Sequence, residues 1–168
     1  MCTKVHSYAR TTDGRVAPPP GCRRGDAVSS SNAQLIRDHF AAKARFDKAT
    51  ILDQLTPDAR WWVPVSGAER GIATRPIDGG QTIADILTAT LSTQLYSKER
   101  TWTVEYVVAD DKVGAAQVHL STTLATSGTP YENTYAYIFR FEDGKIAEIW
   151  EHLDTARAFA LFDAAKTG

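Results

Sequence analysis

Apolar side chains in "SNAQLIRDHFAAKARFDKATILDQL" recur near every 3.6 positions, placing Leu35, Ile36, His39, Phe40, Ala44 and Phe46 along one stripe. That spacing predicts a helix, with Ser31 or Asn32 as its N-cap. "TPDARWWVPV" then reads as a turn at Pro57-Asp58 followed by a short aromatic strand. "GGQTIADILTATLSTQLYS" predicts a second amphipathic helix, with Ile83, Ile86, Leu87, Thr90, Leu91 and Leu95 on one side. Beyond it the period falls to two, and residues 101–109, 113–125, 131–141 and 145–153 read as strands. Their connections at Asp110-Asp111, "TSGTP" and Asp143-Gly144 are short, so the strands should form an antiparallel meander. "DTARAFALFDAA" closes as a short helix capped by Asp154. Helices before a meander predict an α+β domain, with the helices on one face of a curved sheet.

The first 31 residues lack this patterning. "VAPPPGCRRGDAVSSS" has almost no large apolar side chain, so it cannot offset its chain entropy, and residues 1–31 are read as a disordered extension ahead of a domain at 32–165. The extension carries Lys4, Arg10, Arg15, Arg23 and Arg24 against Asp13 and Asp26, a net +3 that leaves the domain at −4. Cys2 and Cys22 both lie there, so neither staples the core. With 168 residues and 43% hydrophobic content, the chain suits one core. Nineteen basic against twenty acidic residues give no electrostatic footprint for nucleic acid or an anionic membrane. No apolar run approaches the roughly 18 residues of a bilayer span, and no secretory apolar core opens the chain. A soluble, cytoplasmic protein with a small-molecule partner is expected.

The terminal pattern "YxNxYxxxFRFxDGKIxExWEHxD", preceded by helices and a long sheet, resembles the SnoaL-like branch of the cone-shaped NTF2-like superfamily. That branch includes ketosteroid isomerases, limonene epoxide hydrolases and polyketide cyclases, and the resemblance covers roughly residues 32–162. It implies the same α+β cone and a pocket inside it, but one scaffold hosts many chemistries and non-enzymes as well.

Alternation puts Gln117, His119, Ser121 and Thr123 on one side of their strand and Ala116, Val118, Leu120 and Leu124 on the other. Taken alone, that strand leaves open which side is solvent. On the next strand Tyr131, Asn133, Tyr135, Tyr137, Phe139 and Phe141 share a face, an aromatic set suited to lining a cavity. The resemblance then implies that Gln117, His119, Asn133, Tyr135, Tyr137, Ile149 and Glu151 face the pocket. Trp62 and Leu153 are further expected substrate contacts, although Trp61 and Trp62 face opposite ways and alternation alone does not say which is wall and which is core.

Glu151, the acid after the Trp, matches the position where members similar to the limonene epoxide hydrolases keep a catalytic acid. Where those carry an Arg and an Asp two apart, this chain has Gln117 and His119, so their triad is absent. His119 and Glu151 are the expected catalytic pair, an imidazole that titrates near neutrality and a carboxylate lifted by burial. The implied activity is that of an isomerase or cyclase, epoxide-opening or dehydrating, on a small apolar polyketide, terpenoid or steroid-like molecule. The alternative is a non-catalytic binding or assembly module. Asp47 and Asp53 are weaker candidates for a pocket acid. His6, His39, His119 and His152 are scattered, and no metal or cofactor is expected. Val118, Leu120, Ile138 and Trp150 are expected on the outer sheet face, where an apolar patch would favour a homodimer.

Overall fold

The computed structural model describes residues 31–167, and the extension expected over 1–31 lies, apart from Ser31, outside them. Helix α1 (Ser31–Arg45) buries Ile36, His39, Phe40, Ala42 and Lys43. The single helix expected through Leu55 is in fact two. Phe46 takes φ 58°, a left-handed conformation that ends α1. The Asp47 carboxylate accepts from the Thr50 amide at 3.1 Å and caps α2 (Lys48–Gln54). No glycine or proline marks the break, so the apolar period runs through it unaltered.

Strand β1 (Leu55–Trp62) follows directly, then a short α3 (Val65–Glu69) and the two-residue β2 (Ile77–Asp78). Helix α4 (Gly80–Asp85) continues into a π-helical segment, Ile86–Leu95, where a regular α-helix was expected. Strands β3 (Thr101–Ala109), β4 (Val113–Thr123), β5 (Pro130–Glu142) and β6 (Lys145–Leu153) form the predicted antiparallel meander, with β4 two residues shorter than expected. At the last hairpin Asp143 (φ 49°) and Gly144 (φ 74°) are both left-handed, the requirement of a tight turn matched to strand twist. Helix α5 (Thr155–Thr167) starts where Asp154 Oδ1 accepts from the Arg157 amide at 3.0 Å, so Asp154 is a cap, as its position suggested.

The sheet order is β2-β1-β6-β5-β4-β3, and β1 lies parallel to β6. An all-antiparallel sheet is thus corrected to one with a single parallel junction. Helix α1 packs across β3 and β4, and Gly114 permits the approach: a Cβ there would stand 2.8 Å from Ile36 Cδ1.

Register decides which side chains share a face, because residues directly opposite on neighbouring strands point the same way. Tyr135 lies between Val118 and Leu153, Tyr137 between Ala116 and Glu151, and Phe139 between Gly114 and Ile149, which in turn pairs with Trp61. These rows face the helices. The outer rows run Val108–Ala115–Ile138–Trp150–Trp62 and Tyr106–Gln117–Ala136–His152. Val118 and Leu120, expected outside, are completely buried, while Ile138 is outside and 41% exposed and Trp150 is outside and half-buried. No helix among the described residues is long and apolar enough to cross a membrane.

Candidate active site

Between the inner sheet face, the π-helical segment, α3 and α5 lies a cavity of about 180 Å³. Its walls are mainly apolar, with Trp61, Val63, Ile86, Trp102, Leu153 and Phe162 among them, and Lys43, Tyr96, Arg100, Tyr135, Tyr137 and Glu151 supply its polar atoms. A dry cavity of ~150 Å³ accepts benzene, so this one is on the scale of a substituted ring.

Three polar groups form a relay. Lys43 Nζ donates to Tyr137 Oη at 3.3 Å, and that hydroxyl donates to Glu151 Oε2 at 3.0 Å. Lys43 reaches the sheet because it follows Ile36 and Phe40 on the buried stripe of α1, and Tyr137 meets Glu151 because they are direct partners across β5 and β6. The ammonium stands 3.9 Å from the centre of the Trp102 ring, with Phe40 and Tyr137 also close. No acidic side chain among the described residues pairs with it directly.

Burial sets the protonation states. Loss of hydration is the largest influence on Lys43 and lowers it to about 8, with Arg100 adding to the fall and Glu151 opposing it. Burial likewise raises Glu151 above the usual carboxylate value, while Lys43 and the Tyr137 hydroxyl hold it down. The Trp61 indole acts in the same downward direction, although its N–H meets no partner at hydrogen-bonding geometry. Glu151 keeps part of its surface accessible, and it presents that surface to the cavity. Tyr137 is pushed well up by burial and then by the adjacent carboxylate, so it remains an O–H donor.

A second network braces the other tyrosines. Tyr135 Oη lies 3.3 Å from Tyr96 Oη and 3.1 Å from Tyr131 Oη, and Asn133 Nδ2 donates to Tyr131 Oη and to the Asp154 carbonyl. Asn133 faces inward, yet both its bonds hold the scaffold and it does not line the cavity. Ile149 is buried behind the cavity wall, whereas Tyr135, Tyr137, Glu151 and Leu153 line it.

His119 and Gln117 lie elsewhere. His119 Nδ1 is 3.3 Å from Thr134 Oγ1, and Gln117 donates to Glu105 at 2.7 Å, both on the outer face. Their strand turns its oily side inward because Val118 opposes Tyr135, so the polar side is the solvent side. His119 and Glu151 therefore do not meet in one cavity. Trp62 is also outside: its indole N–H donates to Glu148 at 3.0 Å, and Trp61 occupies the wall position instead. Asp47 is spent as a helix cap and Asp53 pairs with Lys145 at the surface. His39 is a core histidine, 3.0 Å from Gln54 Oε1, and burial lowers it to about 4. No cluster of three His, Cys, Asp or Glu side chains suited to a metal occurs among the described residues.

Sequence reading missed Lys43, Tyr96, Arg100 and Trp102. Lys43 did leave a signal, as a charge three residues beyond Phe40 on an apolar stripe. Arg100 left none, since it sits in a connection.

The model of the SnoaL-like domain matches residues 36–149. Solved structures share the fold. TerC co-crystallised with polyporic acid is 19% identical, with a TM-score of 0.69 over 80% of this chain and 99% of that one. IdmH, a proposed polyketide cyclase from Streptomyces antibioticus, is 22% identical with a TM-score of 0.63 over 78% and 97%. An LEH-like epoxide hydrolase of M. tuberculosis is 14% identical with a TM-score of 0.61 over 79% and 90%. No curated protein matches the sequence.

Proposed function

Because the chain belongs to the SnoaL-like domain family, we propose that it is an acid/base enzyme, an isomerase or cyclase working through its own side chains. Its substrate is a small, largely apolar polyketide, terpenoid or steroid-like molecule bearing a reactive oxygen. The observation that carries this reading is the Lys43–Tyr137–Glu151 relay opening into an apolar cavity. The names of two structural neighbours, a proposed polyketide cyclase and an epoxide hydrolase, support it, since both chemistries move protons at oxygen.

In this reading the ionised Glu151 takes a proton from substrate carbon or hydroxyl. Once protonated, it no longer competes for the Tyr137 hydroxyl, which then turns to donate to the oxygen where negative charge develops. Lys43 holds Tyr137 in place and favours the ionised form of Glu151 before the transfer. Return of the proton from Glu151 to another atom of the substrate completes an isomerisation or ring closure.

The test uses a small enolisable ketone, 2-tetralone, in D₂O, with exchange of its α-protons followed by NMR. Glu151→Gln should lose roughly 10²–10⁴-fold of the catalysed rate while retaining the fold. Equal rates in the variant and the parent would remove Glu151 from the mechanism. A parent rate no faster than buffer would support the alternative of a binding module without turnover.

A further inference from the structure

Arg100 is the one charged side chain of the cavity for which the relay has no use. It is 9% exposed, yet no acidic side chain among the described residues lies within ion-pair distance of it. Among the described residues its Nη2 makes only two long contacts, to the Leu87 carbonyl at 3.3 Å and the Lys43 carbonyl at 3.5 Å. Its Nε is buried with no hydrogen-bond partner among the described residues. The guanidinium carbon sits 4.1 Å from the centre of the Phe46 ring, which holds the planar group against one apolar surface.

A buried charge normally persists only when paired, because its lost hydration otherwise costs several kcal/mol. The neighbouring charges do not supply a pair. Among the described residues Lys43 and Arg100 are two cations of the cavity, Glu151 is its single carboxylate, and Glu151 already serves Tyr137. The unmatched charge is positive and lines the same cavity.

We propose that the molecule taken into this cavity carries an anionic oxygen group, a carboxylate or an ionised enol, and that Arg100 is its anchor. The inference rests on the cavity being the binding site proposed above, and it deepens that reading by naming the substrate class as an organic acid with an apolar body. A guanidinium presents several N–H donors in one plane and matches two oxygens of an anion at once. Burial lowers Arg100 only to about 10, so it is charged at neutral pH. Anchoring the anion there leaves the apolar remainder of the ligand against the cavity's aromatic walls and within the space that Glu151 and Tyr137 share.

The experiment compares matched probes by calorimetry. Cinnamate is set against cinnamamide, and the enolate of dimedone against its neutral methyl enol ether. The parent protein should bind the anion of at least one pair roughly 10- to 100-fold more tightly than its neutral partner, the range of a charge-assisted bond. The pair that discriminates tells carboxylate from enol. Arg100→Gln should erase the preference, and Arg100→Lys, which keeps the charge without the fork, should retain part of it. Because the first comparison uses the parent protein, a variant that fails to fold does not obscure the result. No preference for either anion in the parent would overturn the proposal, as would a preference that survives in a folded Arg100→Gln. Neither outcome touches the acid/base reading, which stands or falls on proton exchange in Glu151→Gln.

Discussion

Replacing Lys43 by Met should make the protein more stable and less active. The ammonium is fully enclosed, and its fall from 10.5 to about 8 measures how much the folded state disfavours the charge. At about 1.4 kcal/mol per unit, that shift corresponds to roughly 3 kcal/mol at neutral pH. Part of this is returned by the contact with Trp102, since a desolvated cation over a ring is worth about 2 kcal/mol. Met has a similar length and fills the same apolar space, so the expected net gain is about 1–3 kcal/mol near pH 7. The pH dependence supplies an independent sign. Between about 8 and 10.5 the unfolded chain holds a proton on Lys43 that the folded protein has lost, so parental stability rises with pH in that window. The advantage of Lys43→Met should shrink accordingly, by up to about 1.4 kcal/mol per pH unit. Urea unfolding followed by tryptophan fluorescence at about pH 7 and about pH 9.5 reads both effects, with proton exchange of 2-tetralone as the activity measure. A variant less stable than the parent at both pH values, with no change in the gap, would show that the buried ammonium does not destabilise the fold.

On the acid side, His39 falls from 6.5 to about 4, so the parent should lose up to roughly 3 kcal/mol as pH drops through that interval, and His39→Gln should flatten the loss in urea titrations. Gln117→Ala and His119→Asn should leave the exchange rate within about twofold, because both side chains lie on the outer face; a loss resembling that of Glu151→Gln would contradict their placement. We expect a homodimer through the outer row of Val108, Ile138 and Trp150, with Tyr106 beside it, since Tyr106 and Val108 are 69% and 70% exposed. Light scattering at micromolar concentration should give twice the monomer mass, and Ile138→Glu should halve it. Phe40→Ala, at a ring buried against Tyr137 and Trp102, should cost about 3–5 kcal/mol in urea unfolding.

The meander was legible because its turns are short and its strands alternate cleanly, and the face shared by Tyr131, Tyr135 and Tyr137 followed from the same period. The phase of β4 was not. Alternation separates Gln117 and His119 from Val118 and Leu120 but does not say which set meets the tyrosines; the pairing of Val118 with Tyr135 does, and that depends on how the "TSGTP" connection closes. The parallel seat of β1 beside β6 joins segments far apart in sequence, and no local signal reports such a contact. Trp61 and Trp62 illustrate the same limit, since adjacent residues on a strand must face opposite ways and only a partner strand breaks the tie. Glu151 stands out in the sequence through its place after the terminal Trp, while Lys43, which acts on it through Tyr137, belongs to a helix stripe whose other members are plain core. A lysine on such a stripe is costly to bury, and that cost was the available clue to the site.

In the proposed mechanism Glu151 is a half-buried carboxyl group of the cavity, poised for proton transfer under the influence of Lys43. Its side-chain carboxyl carbon, labelled with ¹³C and titrated by NMR, reports this without a substrate. A midpoint above the ordinary 4.5 is expected, because burial outweighs the pull of Lys43 and Tyr137, with a further rise in Lys43→Met, where that pull is weakened. A midpoint at or below 4.5 in the parent, or one that Lys43→Met leaves unmoved, would contradict it.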